Sequence, residues 1–260
     1  MTSHDTTDRL GHDRPLIVDL SAFTSNGDAK LRRQAADDLH EKLKINGFVG
    51  ITGHGVSQDL LAEAFATSRN FFDMPYEDKM KAPHPDTPIP HRGYSGPGRE
   101  YAAAKTAEEE SFEMGSEENK REPNIWPPDE VYPGFRDCLL KFYWELNKAT
   151  VAILDALIMS LDLTDDEAKA VRSLHPGHHH QLRLLHYPPM DETTAADKYA
   201  ARIGAHTDWS SFTILFQDAN GGLKYLDRQS DTFRDATPKE GVLYMNIGDM
   251  FERISNGLVI

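Results

Sequence analysis

The chain has 260 residues, a formal net charge of −14 and 39% hydrophobic residues. That length suits one large domain or two small ones, with enough apolar material for a core. The acidic balance disfavours nucleic acid and anionic membranes as partners, since both attract basic surfaces.

Cys138 is the single cysteine, which excludes a disulfide framework within the chain and argues against a cysteine-based zinc site. The polar start, Met1 to Asp5, lacks the basic and apolar runs of a signal peptide, and no apolar stretch reaches the roughly 20 residues of a membrane span. The simplest expected location is cytoplasmic. The densest acidic runs, Glu108 to Glu110 and Glu117 to Glu118, are expected on a solvated surface.

In chain order, residues 1–14 are expected to form a disordered tail. Pro15 to Leu20 predicts a strand. Asp28 opens a helix with Leu31, Ala35, Leu39 and Leu43 on one face, stopped by Gly47. Phe48 to Thr52 predicts a second strand, followed by a turn at Gly53 to Val56. Ser57 caps a helix reaching Phe72, with Leu60, Leu61, Phe65 and Phe72 facing inward, and Pro75 ends it. Residues 82–98 read as a Pro- and Gly-rich loop. Ser111 to Gly115 predicts a short strand, and Pro123 to Pro128 an extended segment.

The longest helix is expected from Phe135 to Leu161, with Leu139, Phe142, Tyr143 and Leu157 among its inward residues. A shorter one covers Asp165 to Leu174. Beyond His175 strand patterns take over: Leu182 to Tyr187, Ile203 to Asp218, Leu223 to Leu226 and Val242 to Ile247, with a helical turn after Gly248. The expected organisation is the tail, then residues 15–175 as a helical region contributing strands to the core, then 176–260 as a sheet domain. The fold class is α+β.

Candidate chemistry concentrates at His206-Thr207-Asp208. If Ile203 to Asp218 is a strand, His206 and Asp208 project from the same face. An imidazole and a carboxylate so placed can fill two of three facial positions on Fe(II). Chance supplies about one His-x-Asp triplet in a chain of this composition, and the sequence holds two. The other, His84-Pro85-Asp86, lies in the Pro-rich loop and reads as a decoy. His178 to His180 and His54 are expected to be structural.

Several segments, in order, resemble the isopenicillin-N-synthase-like branch of Fe(II)/2-oxoglutarate-dependent dioxygenases. They are Asn46-Gly47-Phe48 with Gly53-His54-Gly55-Val56, Phe71-Phe72 with Pro75, Glu77 and Lys79, and His91-Arg92-Gly93-Tyr94. After them come Leu184 to Pro188, His206-Thr207-Asp208, Gly221-Gly222-Leu223 and Asn246-Ile247-Gly248-Asp249. The resemblance implies a double-stranded β-helix, or jelly-roll, core with helices packed on it. It implies Fe(II), 2-oxoglutarate and O2 as cofactor and cosubstrates. The activity would be hydroxylation, desaturation or ring formation on a small molecule of specialised metabolism.

Carried over by position, His206 and Asp208 are the metal ligands. Tyr187 and Arg183 are candidate cosubstrate contacts. Arg92 and Tyr94, beside His91, border the substrate mouth. Leu185 replaces an asparagine common in relatives.

The family's third iron ligand, a histidine, and its cosubstrate arginine follow the Ser255-Asn256-Gly257 segment. All 12 histidines here lie at or before His206. The expectation is therefore a chain lacking the C-terminal jelly-roll strands, with its activity in doubt. Two other readings stay open: a non-catalytic remnant that binds a ligand or a full-length partner, and a structural module whose His-x-Asp is incidental. Substrate and oligomeric state are not legible.

Overall fold

A computed structural model describes residues 15–25, 27–86, 91–97, 109–189 and 203–260. The expected tail at 1–14 and parts of the Pro-rich loop lie outside them. In chain order the elements are β1 (Ile17–Asp19), α1 (Ser21–Thr24), α2 (Ala29–Asn46), β2 (Phe48–Thr52), α3 (Gln58–Phe72), α4 (Tyr76–Lys79), β3 (Gly93–Ser95) and β4 (Glu110–Gly115). They continue with α5 (Phe135–Ser160), α6 (Asp165–Ser173), β5 (Gln181–His186), β6 (Phe212–Leu215), β7 (Lys224–Asp227), β8 (Thr232–Asp235), β9 (Leu243–Ile247) and α7 (Asp249–Ile254).

These elements form two compact units that interleave in sequence, residues 1–55, 152–163 and 207–260 in one, 56–151 and 164–206 in the other. Strand pairing explains why: β2, near the start of the chain, pairs antiparallel with β9, near residue 245.

The first unit holds a four-stranded sheet in the order β1-β2-β9-β6 and the hairpin β7-β8. The sheet is parallel between β1 and β2 and antiparallel elsewhere. Helix α2 starts where the Asp28 carboxylate accepts the Leu31 amide and stops at Gly47, whose φ of 64° suits a residue without Cβ. Its buried stripe is Ala36, Leu39 and Leu43. Leu31, expected inward, is exposed, because the stripe begins one turn later. A small core gathers Phe48, Tyr225, Ala236, Val242 and Tyr244, with Phe48 stacked on Tyr225 at 4.8 Å.

The second unit is built on the sheet β3-β4-β5, antiparallel throughout. Ser57 caps α3 as expected, but Leu60, Ala64, Thr67, Phe71 and Phe72 are the buried residues. Thr164 and Glu167 close a capping box on α6. The core packs Phe71, Phe112, Phe135, Leu139, Tyr143 and Leu184. Fully buried Phe71 has ring contacts with Phe72, Tyr94, Phe112 and Phe135 at 4.8–5.9 Å.

Three expectations change here. The loop predicted over 82–98 contains strand β3, whose three residues are all buried. Glu109 and Glu110, expected on a solvated surface, are 3% and 5% exposed. The hairpin partner β8 has no counterpart among the predicted strands, because its alternation is polar and its residues are mostly exposed. Among the described residues, no helix is long and apolar enough to cross a membrane.

Replacing Phe71 by Ala removes a ring that touches four others. The expected loss is about 3–5 kcal/mol, read as a lower denaturant midpoint with little change in far-ultraviolet circular dichroism.

Candidate functional site

The predicted strand from Ile203 to Asp218 is regular only over Phe212–Leu215. His206, Thr207 and Asp208 precede it in irregular backbone. Alternation along a strand therefore does not orient them.

The cause lies at the start of α7. A helix leaves its first amides without intrahelical acceptors. Here the Asp249 amide donates to the Asp208 carbonyl at 2.8 Å and the Met250 amide to the Ser210 carbonyl at 3.3 Å, while the Gly248 amide donates to the Ser211 carbonyl at 2.9 Å. Backbone that serves a helix terminus in this way cannot also run in a ladder. Gly248 permits the approach: a Cβ there would stand 2.1 Å from the Ser210 oxygen and 2.8 Å from that of Asp208.

Side chains complete the hold. Thr213 on β6 and Asn246 on β9 are direct cross-strand partners, so both project from one face of the sheet. The Thr213 hydroxyl donates to Asp208 Oδ2 at 2.5 Å, and Asn246 Nδ2 donates to the same oxygen at 2.8 Å. Thr207 Oγ1 donates to Asp249 Oδ2 at 3.1 Å. Two residues of chain span about 7 Å at most, so His206 stays close to Asp208 by covalent continuity. Its Nδ1 lies 2.9 Å from the Gly204 carbonyl. A carbonyl only accepts, so Nδ1 donates and Nε2 is the nitrogen left to ligate a metal. An oriented carboxylate and an imidazole of fixed tautomer fit a divalent iron centre.

The other predicted residues lie at or beside β3 and β5. Arg92 is 3% exposed; its guanidinium donates to the His91 carbonyl at 2.6 Å and pairs with Glu122 at 3.1 Å. Tyr94 is fully buried, and its hydroxyl donates to Glu110 Oε2 at 2.5 Å. Neither presents an open surface at a substrate mouth. Both belong to the interior of the second unit, where β3 pairs with β4. Arg183, opposite Glu113 in the β4-β5 ladder, lies 3.2 Å from Glu113 and 3.7 Å from Glu109. Tyr187, just past β5, is exposed. His54 is buried and edge-on to Phe216 at 5.4 Å; burial lowers its pKa. Burial likewise lowers that of His180, followed by the neighbouring histidines.

A buried network centred on Glu110 joins residues that sequence reasoning missed. Lys79 Nζ donates to its Oε2 at 2.7 Å, Tyr94 to the same oxygen, and His186 Nδ1 to its Oε1 at 2.7 Å. Burial pushes the Glu110 pKa up, but the hydrogen bonds from Lys79, Tyr94 and His186 outweigh it and hold the carboxyl below its usual value. Burial, then Glu110, pushes the Tyr94 phenol well above its ordinary value. The members lie up to 107 residues apart in sequence, between Lys79 and His186, so no local pattern marks them.

Comparison with known proteins identifies the class. Residues 16–129 match the family model for the non-haem dioxygenase in morphine synthesis N-terminal region, and residues 178–259 match that of the 2OG-Fe(II) oxygenase superfamily. The chain belongs to the Fe(II)/2-oxoglutarate-dependent dioxygenase family, whose members use Fe(II), 2-oxoglutarate and O2. It is 34% identical over 248 residues to the 2-oxoglutarate-dependent dioxygenase frbA of Dothideomycetidae sp., covering 90% of this chain and 72% of the relative. It is 34% identical over 229 residues to the proline hydroxylase buaE of Petromyces alliaceus, covering 84% and 70%. Among solved structures, full-length Neurospora crassa T7H in complex with alpha-KG superposes with a TM-score of 0.83 at 29% identity, covering 96% of this chain and 78% of that one. The expected α+β class with a jelly-roll core holds. These relatives support the oxidoreductase expectation and lend nothing to a non-catalytic one.

Replacing Glu110 by Gln breaks the buried pair and is expected to cost about 3–5 kcal/mol at neutral pH. Because the folded carboxyl titrates below its ordinary 4.5, its stabilisation is present above that value and is lost as pH falls through the folded pKa. Denaturant melts at a series of pH values are expected to show the gap between wild type and Glu110→Gln narrowing below about pH 4.5.

Proposed function

We propose that His206 and Asp208 are the protein's iron ligands and that the chain oxidises a small organic molecule of specialised metabolism. The observation that carries this reading is the Asp208 carboxylate, aimed by Thr213 at 2.5 Å and Asn246 at 2.8 Å. Such support costs conformational freedom and serves a ligand better than a surface carboxylate. His206 and Asp208 would hold Fe(II), which would supply O2 activation coupled to oxidative decarboxylation of 2-oxoglutarate.

The protein's own contributions are local. Asn246 and Thr213 fix the carboxylate, the Gly204 carbonyl fixes the His206 tautomer, and Gly248 lets the backbone of residues 208–210 seat on α7. Tyr187, exposed just beyond β5, is a phenol suited to donate to a cosubstrate carboxylate. Arg183 stays a cosubstrate candidate by position, although Glu109 and Glu113 already engage its guanidinium. Substrate contact by Arg92 and Tyr94 would require moving groups that hold the core, and draws no support from their burial.

Relatives described as a proline hydroxylase and as T7H in complex with thymine support a small-molecule substrate. The fungal dioxygenases support specialised metabolism. A reducing cytoplasm suits a centre that must stay Fe(II).

Anaerobic titration of the protein with Fe(II) and 2-oxoglutarate is expected to develop the weak visible charge-transfer band of the chelated cosubstrate. His206→Ala and Asp208→Ala should each weaken Fe(II) binding by more than about tenfold. Variants that bind Fe(II) as tightly as wild type would contradict the assignment.

A further inference from the structure

We propose that His84, His91 and Glu113 form a second divalent-cation site, distinct from the His206–Asp208 pair and suited to Zn(II). One ligand atom from each residue lies within 4.8 Å of the other two. His91 Nδ1 stands 3.4 Å from Glu113 Oε2. With metal–ligand bonds of about 2.0–2.1 Å, the edge of a tetrahedral site is about 3.4 Å. That edge is already formed, and a shift of the His84 side chain, whose ligand atom lies within 4.8 Å of the others, closes the remaining two. Two imidazoles and one carboxylate are the donor set of open zinc sites, which leave the fourth position to water.

The fold brings the three together by backbone pairing. His84 and Tyr94 are tied by the His84 amide donating to the Tyr94 carbonyl at 2.8 Å, and the Tyr94 amide donates to the Ala82 carbonyl at 2.7 Å. His84 is thus laid beside β3. His91 lies two residues before Gly93, and Gly93 is the cross-strand partner of Glu113 on β4. The two rings lie with centroids 5.7 Å apart, tilted by 58° to each other.

The electronic state of the donors is also set. His84 Nδ1 donates to the Pro85 carbonyl at 2.6 Å, which leaves Nε2 as its nitrogen for a metal. The two oxygens of Glu113 face different partners: Oε1 lies 3.2 Å from Arg183 Nε, and Oε2 faces His91. Arg183 orients the carboxylate, as outer partners of metal ligands do. Glu113 is nearly buried, while the His91 side chain is 55% exposed, so a cation has both a low-dielectric anchor and a path from solvent. A divalent ion bound between His91 and Glu113 would pin the segment holding His84 and β3 to β4.

The site is tested in the full chain carrying His206→Ala and Asp208→Ala, so that failure of the iron assignment does not affect the result. Calorimetric titration with Zn(II) is expected to give one equivalent bound, and titration with Co(II) the visible absorption of a nitrogen- and oxygen-ligated ion. Adding His84→Ala or His91→Ala should weaken Zn(II) binding at least about tenfold and abolish the rise in Tm that Zn(II) produces. Both histidines lie outside the buried core, so circular dichroism should be unchanged; Glu113→Gln provides the third ligand test. Absence of Zn(II) binding in the parent variant would overturn the proposal. So would binding indifferent to His84→Ala and His91→Ala, which would place the ion elsewhere, for instance at His178 to His180.

Discussion

The pairing of β6 with β9 governs the candidate iron site. It sets Thr213 opposite Asn246, and only that register lets both side chains reach one oxygen of Asp208. A slip of one residue would turn both away from the carboxylate. The register is secured from the other side too. β9 is an inner strand, bonded also to β2, and the Ile247 amide donates to the Gly47 carbonyl at 2.9 Å. Gly47 in turn ends α2 with a left-handed turn that only glycine makes cheaply. A helix stop near residue 47 therefore bears on the aim of a carboxylate at residue 208.

The second unit handles buried charge differently. Glu110 receives Lys79, Tyr94 and His186, a full set of donors for a carboxylate with almost no solvent contact. Each donor comes from a different element, so the carboxylate joins α4, β3 and β5 to β4. Burial of the ion pair is costly unless geometry is good, and here the geometry makes the charged state the favoured one. Asp208 is only half buried, and its described donors converge on Oδ2. One arrangement saturates a carboxylate to hold a core; the other fixes one oxygen of a carboxylate, as the proposed iron ligand requires.

Much of the fold was legible locally. Asp28 and Ser57 mark helix starts by their capping side chains, and Gly47 marks a stop. Strand β2 follows from its apolar run. The failures share one cause, which is contact distant in sequence. The backbone before Phe212 reads as a strand, yet α7 claims its carbonyls from some 40 residues away. Glu109 and Glu110 read as surface acids, yet Arg183, Lys79 and His186 draw them inside. At the candidate iron site the residue types were legible, whereas the way they are held was not. The signal that could have found Asn246 and Gly248 is the Asn-Ile-Gly-Asp run, where a polar residue, a glycine and an acid close an otherwise apolar strand.

The most direct test of this account is the Fe(II) affinity, measured by anaerobic titration, of Asn246→Ala and Thr213→Val beside wild type. Neither residue is proposed to touch the metal. If the cross-strand pair aims Asp208, each substitution should weaken Fe(II) binding by about 10–100-fold while circular dichroism stays unchanged. Wild-type affinity in both variants would contradict it.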